Sequence, residues 1–229
     1  MKVQAIVPTA GQGKRFQSTL PKSLIELSGQ PIFQRSLNLL QKSSLIEKII
    51  LVVPKEHKQT FENIVRTLPF CKDIVIVEGG ETRSISVNNG IKALDQDTDI
   101  VLIHDGVRPL VNLKLVDEAI KLSFEHPAVV LGVRVKPTIK KVDKQGFVKE
   151  TLDRSELWEI QTPQIFQKNI LQEAYKKLGT ETFTDEAALV EQIGVKVRVL
   201  EGDYQNLKIT TKEDLFMAEA LLSFSEKKL

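Results

Sequence analysis

Cysteine is nearly absent from this chain. Its 229 residues include one, Cys71, so no disulfide can form within it. A chain of this length buries about 70% of its unfolded surface and needs no such staple. The three histidines (His57, His104, His126) stand at no zinc-ligand spacing from Cys71, which leaves that residue without metal or redox partners and predicts buried filler. Charge of one sign is missing too. The 32 Lys and Arg set against 30 Asp and Glu leave +2, giving no general argument for nucleic acid or membrane surfaces while allowing a local basic site. No apolar run approaches the length of a membrane span. The apolar stretch of MKVQAIVPTAGQGKRF is too short for a signal peptide. What remains is an ordinary globular composition, 41% hydrophobic and 27% charged. The expectation is a cytoplasmic α/β protein forming one domain over residues 1–229.

Short, nearly continuous apolar runs lie at 3–8, 49–53, 74–77, 100–103, 128–133 and 195–200. Runs of this kind suit strands buried on both faces of a parallel sheet. Helical spacing falls between them, at Phe33, Leu37 and Leu40, at Val87, Ile91 and Leu94, and at Leu115, Ala119 and Leu122. The alternation predicts a Rossmann-like, mostly parallel sheet with helices on both faces and right-handed crossovers. It breaks between about 135 and 160. There 139–143, Gln145-Gly146 and 147–152 read as a polar hairpin, a β-arm inserted at about 136–156. A two-stranded ribbon is marginal alone, so the arm leans either on its own chain or on a second subunit. Near the end, Thr211-Lys-Glu-Asp214 reads as a capping box opening a helix with Leu215, Ala218 and Leu222 on one face.

The first strand empties into Pro8-Thr-Ala-Gly-Gln-Gly-Lys-Arg15. Ligands of parallel sheets bind beyond the carboxyl ends of the strands. Gly11 and Gly13 let backbone amides approach a phosphate, and Lys14 and Arg15 add cations. A tight turn carrying two solvated cations fits the same residues. Phe16 stands where a dinucleotide fingerprint needs its third glycine, and no Walker A loop is present. Lys22, after Pro21, brings a third cation to the loop and strengthens the anion-site reading.

The run AGxGxR followed by PKxLxxLxGxPI resembles the signature of sugar-nucleotide-type nucleotidyltransferases. His104-Asp-Gly-Val-Arg-Pro109, Arg154 with Leu157-Trp158, Gln161-Thr-Pro-Gln164, Thr184-Asp-Glu-Ala187 and Asn206-Leu-Lys-Ile-Thr210 follow in that order. Together they resemble the 2-C-methyl-D-erythritol 4-phosphate cytidylyltransferase family of the non-mevalonate isoprenoid pathway, over residues 3 to 222. The resemblance implies Mg²⁺-dependent transfer of CMP from CTP to that acceptor, with pyrophosphate leaving, and a homodimer whose sites are shared through the β-arm. It implies a nucleotide site at Pro8, Ala10, Gly11, Gly13, Lys14, Gly80, Ser86, Asp105 and Gly106. Arg108, Thr138, Arg154, Thr162, Thr184 and Lys208 would meet the acceptor. Arg15, Lys22, Arg154 and Lys208 would carry the catalysis.

The chemistry asks for cations rather than a base. A phosphate monoester, with its second pKa near ~6, is already an anion at neutral pH, and the barrier is the meeting of two polyanions. His104 therefore has no chemical task. Asp105 at a strand's carboxyl end suits Mg²⁺, or caps its own turn. Arg108 either clamps phosphate or pairs with Asp105. Gly79, Gly80 and Ser86 could read cytosine by its N4 amino donor, or form a plain turn and helix start. Thr184 reads as an N-cap ahead of two acids, and the resemblance makes Thr184 or Asp185 an acceptor-hydroxyl contact. Trp158 and Phe166 read as core anchors.

Four positions depart from the family's pattern. Thr9 and Gly106 stand where alanine is expected, Ser23 where many relatives carry glutamine, and Glu81 where aspartate is expected. None removes a cation or Asp105. The rival readings are a ribitol-5-phosphate cytidylyltransferase and a non-catalytic nucleotide-binding module on the same fold.

Overall fold

The computed structural model describes residues 1–10, 16, 20–69, 71–179 and 183–226. Seven strands form the central sheet. In chain order they are β1 (Val3–Pro8), β4 (Ile46–Val53), β5 (Asp73–Glu78), β6 (Ile100–Ile103), β7 (Ala128–Arg134), β10 (Trp158–Gln167) and β11 (Arg198–Glu201). Their spatial order is β11-β7-β10-β6-β1-β4-β5. Every pairing is parallel except those of β10, which runs antiparallel to both β6 and β7. The small pair β2 (Glu26–Leu27) and β3 (Gln30–Pro31) stands apart, as does the hairpin β8 (Lys140–Val142) and β9 (Val148–Thr151).

Alternation along the strands feeds two cores. Val3, Ala5 and Val7 of β1 point to one side and Ile6 to the other. Ile49, Leu51 and Val53 of β4 oppose Ile50 and Val52 in the same way. This is the period of two expected of a strand buried on both faces. The first core is closed by α1 (Ile32–Leu40), α2 (Lys58–Arg66) and α4 (Leu113–Leu122). Phe61 is the one buried residue of α2, and its ring tilts against Phe33 at 4.6 Å between centroids. The second core is closed by α3 (Arg83–Lys92), α5 (Lys168–Leu178) and α6 (Glu186–Glu191). Each Ile, Leu or Phe so buried contributes roughly 1.5–3 kcal/mol. A third, smaller cluster joins Phe16, Leu27, Ile32, Val107 and Ile209 to Ala218 of α7 (Lys212–Glu226), and it underlies the loops at the strands' carboxyl ends. Phe16, which displaces a fingerprint glycine, is thus a core residue.

Two sequence expectations change, and one strand was not predicted at all. The run 195–200 enters the sheet only at Arg198. Strand β10 was hidden by polar residues, since Gln161, Thr162 and Gln164 are all buried. Cys71 is exposed, not buried filler. It follows the exposed end of α2 and precedes β5, where the chain crosses the surface between two elements. The capping box holds as read. Thr211 Oγ1 accepts from the Asp214 amide at 3.3 Å, and Asp214 Oδ2 accepts from the Thr211 amide at 2.9 Å.

Candidate active site

Strands β1 and β6 lie side by side, with Ile103 at the end of β6 paired to Ile6 and β1 running on to Pro8. A pocket opens beyond them, lined by Pro8, Thr9, Ala10, Lys22, Arg83, Ser86, Asp105, Val107 and Lys208. Residues 8 to 10 come off β1, Asp105 and Val107 off β6. Arg83 and Ser86 open α3. Lys22 begins a single 3-10 turn over Lys22–Leu24. That turn is tied to the end of β1 by the hydroxyl of Ser23, which donates to the Thr9 carbonyl at 3.3 Å.

Asp105 is the pocket's acidic centre and is 5% exposed. Its Oδ2 lies 2.6 Å from Lys208 Nζ, and its Oδ1 accepts from Arg83 Nε at 3.1 Å. Burial alone would raise this carboxyl. The Arg83 and Lys208 cations overcome it and hold Asp105 well below the usual carboxylate range. The Asp105 amide donates to Thr162 Oγ1 at 3.0 Å. Thr162 also lies 3.3 Å from His104 Nδ1, and His104 Nε2 lies 3.0 Å from the Arg108 carbonyl. A carbonyl only accepts, so Nε2 carries the proton and Nδ1 accepts from the Thr162 hydroxyl. Burial pushes His104 down to about 4. It is a neutral brace beneath Asp105.

Lys208 is presented by a docked segment. The Ile209 amide donates to the Val107 carbonyl at 2.9 Å. Asn206 Nδ2 donates to the Thr162 carbonyl at 2.8 Å and to Gln161 Oε1 at 3.1 Å. Arg108 Nη1 donates to the Asn206 carbonyl at 2.7 Å. Arg108 is 6% exposed, and its Nε has no hydrogen-bond partner among the described residues. The buried polar residues that disguised β10 in the sequence therefore build this support.

The opening of α3 is equally specific. Thr82 caps it, accepting from the Ile85 amide at 3.1 Å. The Gly80 amide donates to Ser86 Oγ at 3.0 Å, and the Ser86 hydroxyl donates to the Thr82 carbonyl at 2.9 Å. A β-carbon at Gly79 would stand 2.4 Å from Ala10 Cβ, so glycine there is what lets the two loops touch. Gly106 is buried at the base of the pocket, where its carbonyl accepts from Ser36 at 3.1 Å.

Of the residues expected from sequence, Pro8, Ala10, Lys22, Ser86, Asp105 and Lys208 are brought together, with Gly80, Gly106, Thr162 and Arg108 just behind them. Gly11, Gly13, Lys14 and Arg15 lie outside the described residues. Thr184 is exposed, and the N-cap of α6 is Asp185, whose Oδ1 accepts from the Ala188 amide at 2.9 Å. That corrects the expected cap by one residue: the longer reach of Asp185 also takes a bond from Gln164 Nε2 at 2.8 Å. Thr138 and Arg154 are exposed on the arm, where Arg154 Nη1 donates to the Lys136 carbonyl at 2.6 Å. Trp158 is half-buried under Arg134, whose guanidinium carbon lies 4.6 Å from the ring centroid. Phe166 is a buried core residue, as expected.

Arg83 and Glu186 were not singled out in the sequence. Glu186 is 2% exposed, and Arg83 Nη1 lies 2.9 and 2.7 Å from its two oxygens. Burial raises the Glu186 carboxyl, and Arg83 opposes that. The one available signal was a cation directly after the Thr82 cap, where the helix dipole disfavours it.

Among the described residues no group of three or more His, Cys, Asp or Glu is placed to hold a metal, and no helix is long and apolar enough to cross a membrane. Residues 3–224 match the family model described as IspD: 2-C-methyl-D-erythritol 4-phosphate cytidylyltransferase. A relative of that name from Dictyoglomus thermophilum is 45% identical over 229 residues, covering 98% of each chain. One from Caldanaerobacter subterraneus subsp. tengcongensis is 43% identical over 225 residues, 97% of this chain and 99% of that one. The crystal structure of 4-diphosphocytidyl-2C-methyl-D-erythritol synthase from Anaerococcus prevotii superposes with a TM-score of 0.86 at 34% identity, covering 97% of this chain and 96% of that one. With a cation-lined pocket at the expected strand ends and agreement along its whole length, the chain belongs to the 2-C-methyl-D-erythritol 4-phosphate cytidylyltransferase family and is a nucleotidyltransferase enzyme.

Proposed function

We propose that the chain transfers CMP from CTP to 2-C-methyl-D-erythritol 4-phosphate, giving CDP-methylerythritol and pyrophosphate in isoprenoid biosynthesis. The observation that carries this reading is the set of Lys22, Arg83 and Lys208 around Asp105, in a pocket at the carboxyl ends of β1 and β6. The family's substrates come from its name; the pocket supplies the physical reason.

An acceptor phosphate oxygen attacks the α-phosphorus, the new P–O bond forms, and the bond to the pyrophosphate oxygen breaks. The attacking oxygen is already anionic, so no proton need be removed. Lys22, with Arg15 of the glycine loop, holds the triphosphate and the charge that grows on the α-phosphoryl oxygens. Pro8 and Ala10 line the nucleotide's pocket, with Gly106 beside them, and the family resemblance assigns Gly11, Gly13 and Lys14 to the same nucleotide. Backbone groups at Gly79 and Gly80, steadied by Ser86, select cytosine through its N4 amino group. Lys208 leaves Asp105 to meet the acceptor, and the family resemblance assigns Arg108, Thr162 and Thr184 to the same acceptor.

Asp105 fits a magnesium ion. A lone carboxylate with substrate phosphates is a common Mg²⁺ ligand set, since the ion keeps several waters and seldom takes an all-protein cage. Asp105 would hold the ion, which when bound would supply positive charge that offsets the repulsion between the substrates' phosphates.

The arm supports a shared site. It carries Thr138 and Arg154 with every residue of β8 and β9 exposed, and Val142, Phe147 and Val148 are 52%, 70% and 58% exposed. Apolar side chains on a polar ribbon suit a subunit contact. In the dimer each arm would deliver Thr138 and Arg154 to the other chain's acceptor. A cytoplasmic setting, where CTP is found, completes the reading. Incubation with CTP or UTP, Mg²⁺ and the acceptor, followed by ³¹P NMR, tests it. A diphosphate diester and free pyrophosphate from CTP alone are expected, and the same yield from UTP would contradict the base assignment.

A further inference from the structure

Glu186 is a fully buried carboxylate beneath the pocket that the reaction above does not use. Glu186 opens α6, and Gln164 of β10 fixes that opening by accepting from the Ala187 amide at 3.3 Å and donating to Asp185. Tyr175 of α5 places its hydroxyl 3.2 Å from Glu186 Oε1. The carboxylate's one ionic partner among the described residues is Arg83. The same guanidinium then donates through Nε to Asp105. One planar fork therefore joins two carboxylates, one buried for support and one facing the pocket.

A buried ion pair is weak support for stability, because its desolvation offsets most of its attraction. Its worth here lies in what the fork does to Asp105. Arg83 with no second carboxylate would be free to turn two of its three nitrogens and its full charge on Asp105. Glu186 takes Nη1 with both oxygens, leaving Asp105 one bond and a fixed orientation. Among the described residues the other cations of the pocket are Lys208 at 2.6 Å from Asp105, the more distant Arg108, and Lys22 on the pocket's lining, so the site is already rich in positive charge. Removing the charge of Glu186 makes it richer.

We propose that Glu186 and Arg83 are positioning residues that orient Asp105 and keep its charge available to a divalent cation. This rests on the reading in which Asp105 meets Mg²⁺. A different role for the pair, tying α3 to α6, would change stability and leave metal affinity alone.

The test is Mn²⁺ binding to the full chain, followed by electron paramagnetic resonance with CTP present and no acceptor, so that no turnover occurs. Glu186→Gln keeps the shape and removes the charge. Arg83→Lys keeps the charge but offers a point ammonium that cannot span both carboxylates. Each folded variant, verified by circular dichroism, is expected to bind Mn²⁺ about 10–100-fold more weakly, the usual cost of losing a ligand's supporting partner. Should Glu186→Gln not fold, Arg83→Lys decides the matter. Unchanged affinity in the folded variants, with the unaltered chain binding normally, overturns this inference alone. Failure of the unaltered chain to bind Mn²⁺ overturns the metal reading along with it.

Discussion

Thr9 and Gly106 are shaped to each other. A β-carbon added at Gly106 would stand 2.6 Å from Thr9 Cγ2 and 3.2 Å from Val7 Cγ1. The two positions where alanine was expected thus exchange volume, with one methyl gained on β1's end and one given up on β6's. The Thr9 hydroxyl donates to the Val52 carbonyl at 2.7 Å, which fixes its rotamer and directs the methyl at Gly106. Gly106→Ala should destabilise by about 1–3 kcal/mol through overpacking. Added to Thr9→Ala it should cost much less. Urea unfolding of the four proteins measures this, with a coupling of about 1–2 kcal/mol expected between contacting sites. Simple additivity would show that the two departures are independent.

Lys22→Ala should lower kcat by roughly 10²–10³-fold, the scale for removing one donor to developing charge, with a smaller change in KM. Ser23 and Leu24 are buried and anchor the turn, so the variant should remain folded. A large rise in KM at unchanged kcat would mean that Lys22 binds the ground state and transition state alike.

Mixing inactive Lys22→Ala and Arg154→Ala chains should restore part of the activity. In the mixed dimer one site carries both substitutions and the other carries neither, provided that Arg154 acts across the interface. No recovery after verified subunit exchange would return Arg154 to its own chain's account.

His104 makes stability depend on pH. Its folded-state value near 4 lies below its ordinary 6.5, so the unfolded chain binds the extra proton first. Stability is fully present above about 6.5 and falls as pH drops towards 4, by on the order of 3 kcal/mol for this group. Glu186, raised by burial, has the opposite slope, so the useful comparison is between the unaltered chain and His104→Gln with a chelator present. The substituted chain should lose less stability between pH 6.5 and 4. Equal losses would place the acid sensitivity elsewhere.

Strands β1, β4, β6 and β7 were legible because burial on both faces leaves an unbroken apolar run. Strand β10 was not, since its buried positions are filled by Gln161, Thr162 and Gln164, which hold Asp203, Asp105 and Asp185. Tertiary partners, invisible along the chain, make those residues acceptable inside. Helix α2 shows one buried residue, too few for a periodic signal. Asp105, Lys22 and Lys208 were singled out through their motifs, and they line one pocket. The Arg83–Glu186 pair escaped because its members are 103 residues apart and each looks like an ordinary helix-start residue. Cys71 was misjudged from residue type alone, since the usual burial of cysteine says nothing about a surface crossing.

The most direct test of the central claim is pyrophosphate release with CTP and Mg²⁺, comparing 2-C-methyl-D-erythritol 4-phosphate with ribitol 5-phosphate. Release with methylerythritol phosphate alone is the predicted result. Release with ribitol phosphate alone would keep the fold and the cation chemistry of Lys22, Asp105 and Lys208 but contradict the acceptor, and release with neither would contradict the proposed reaction.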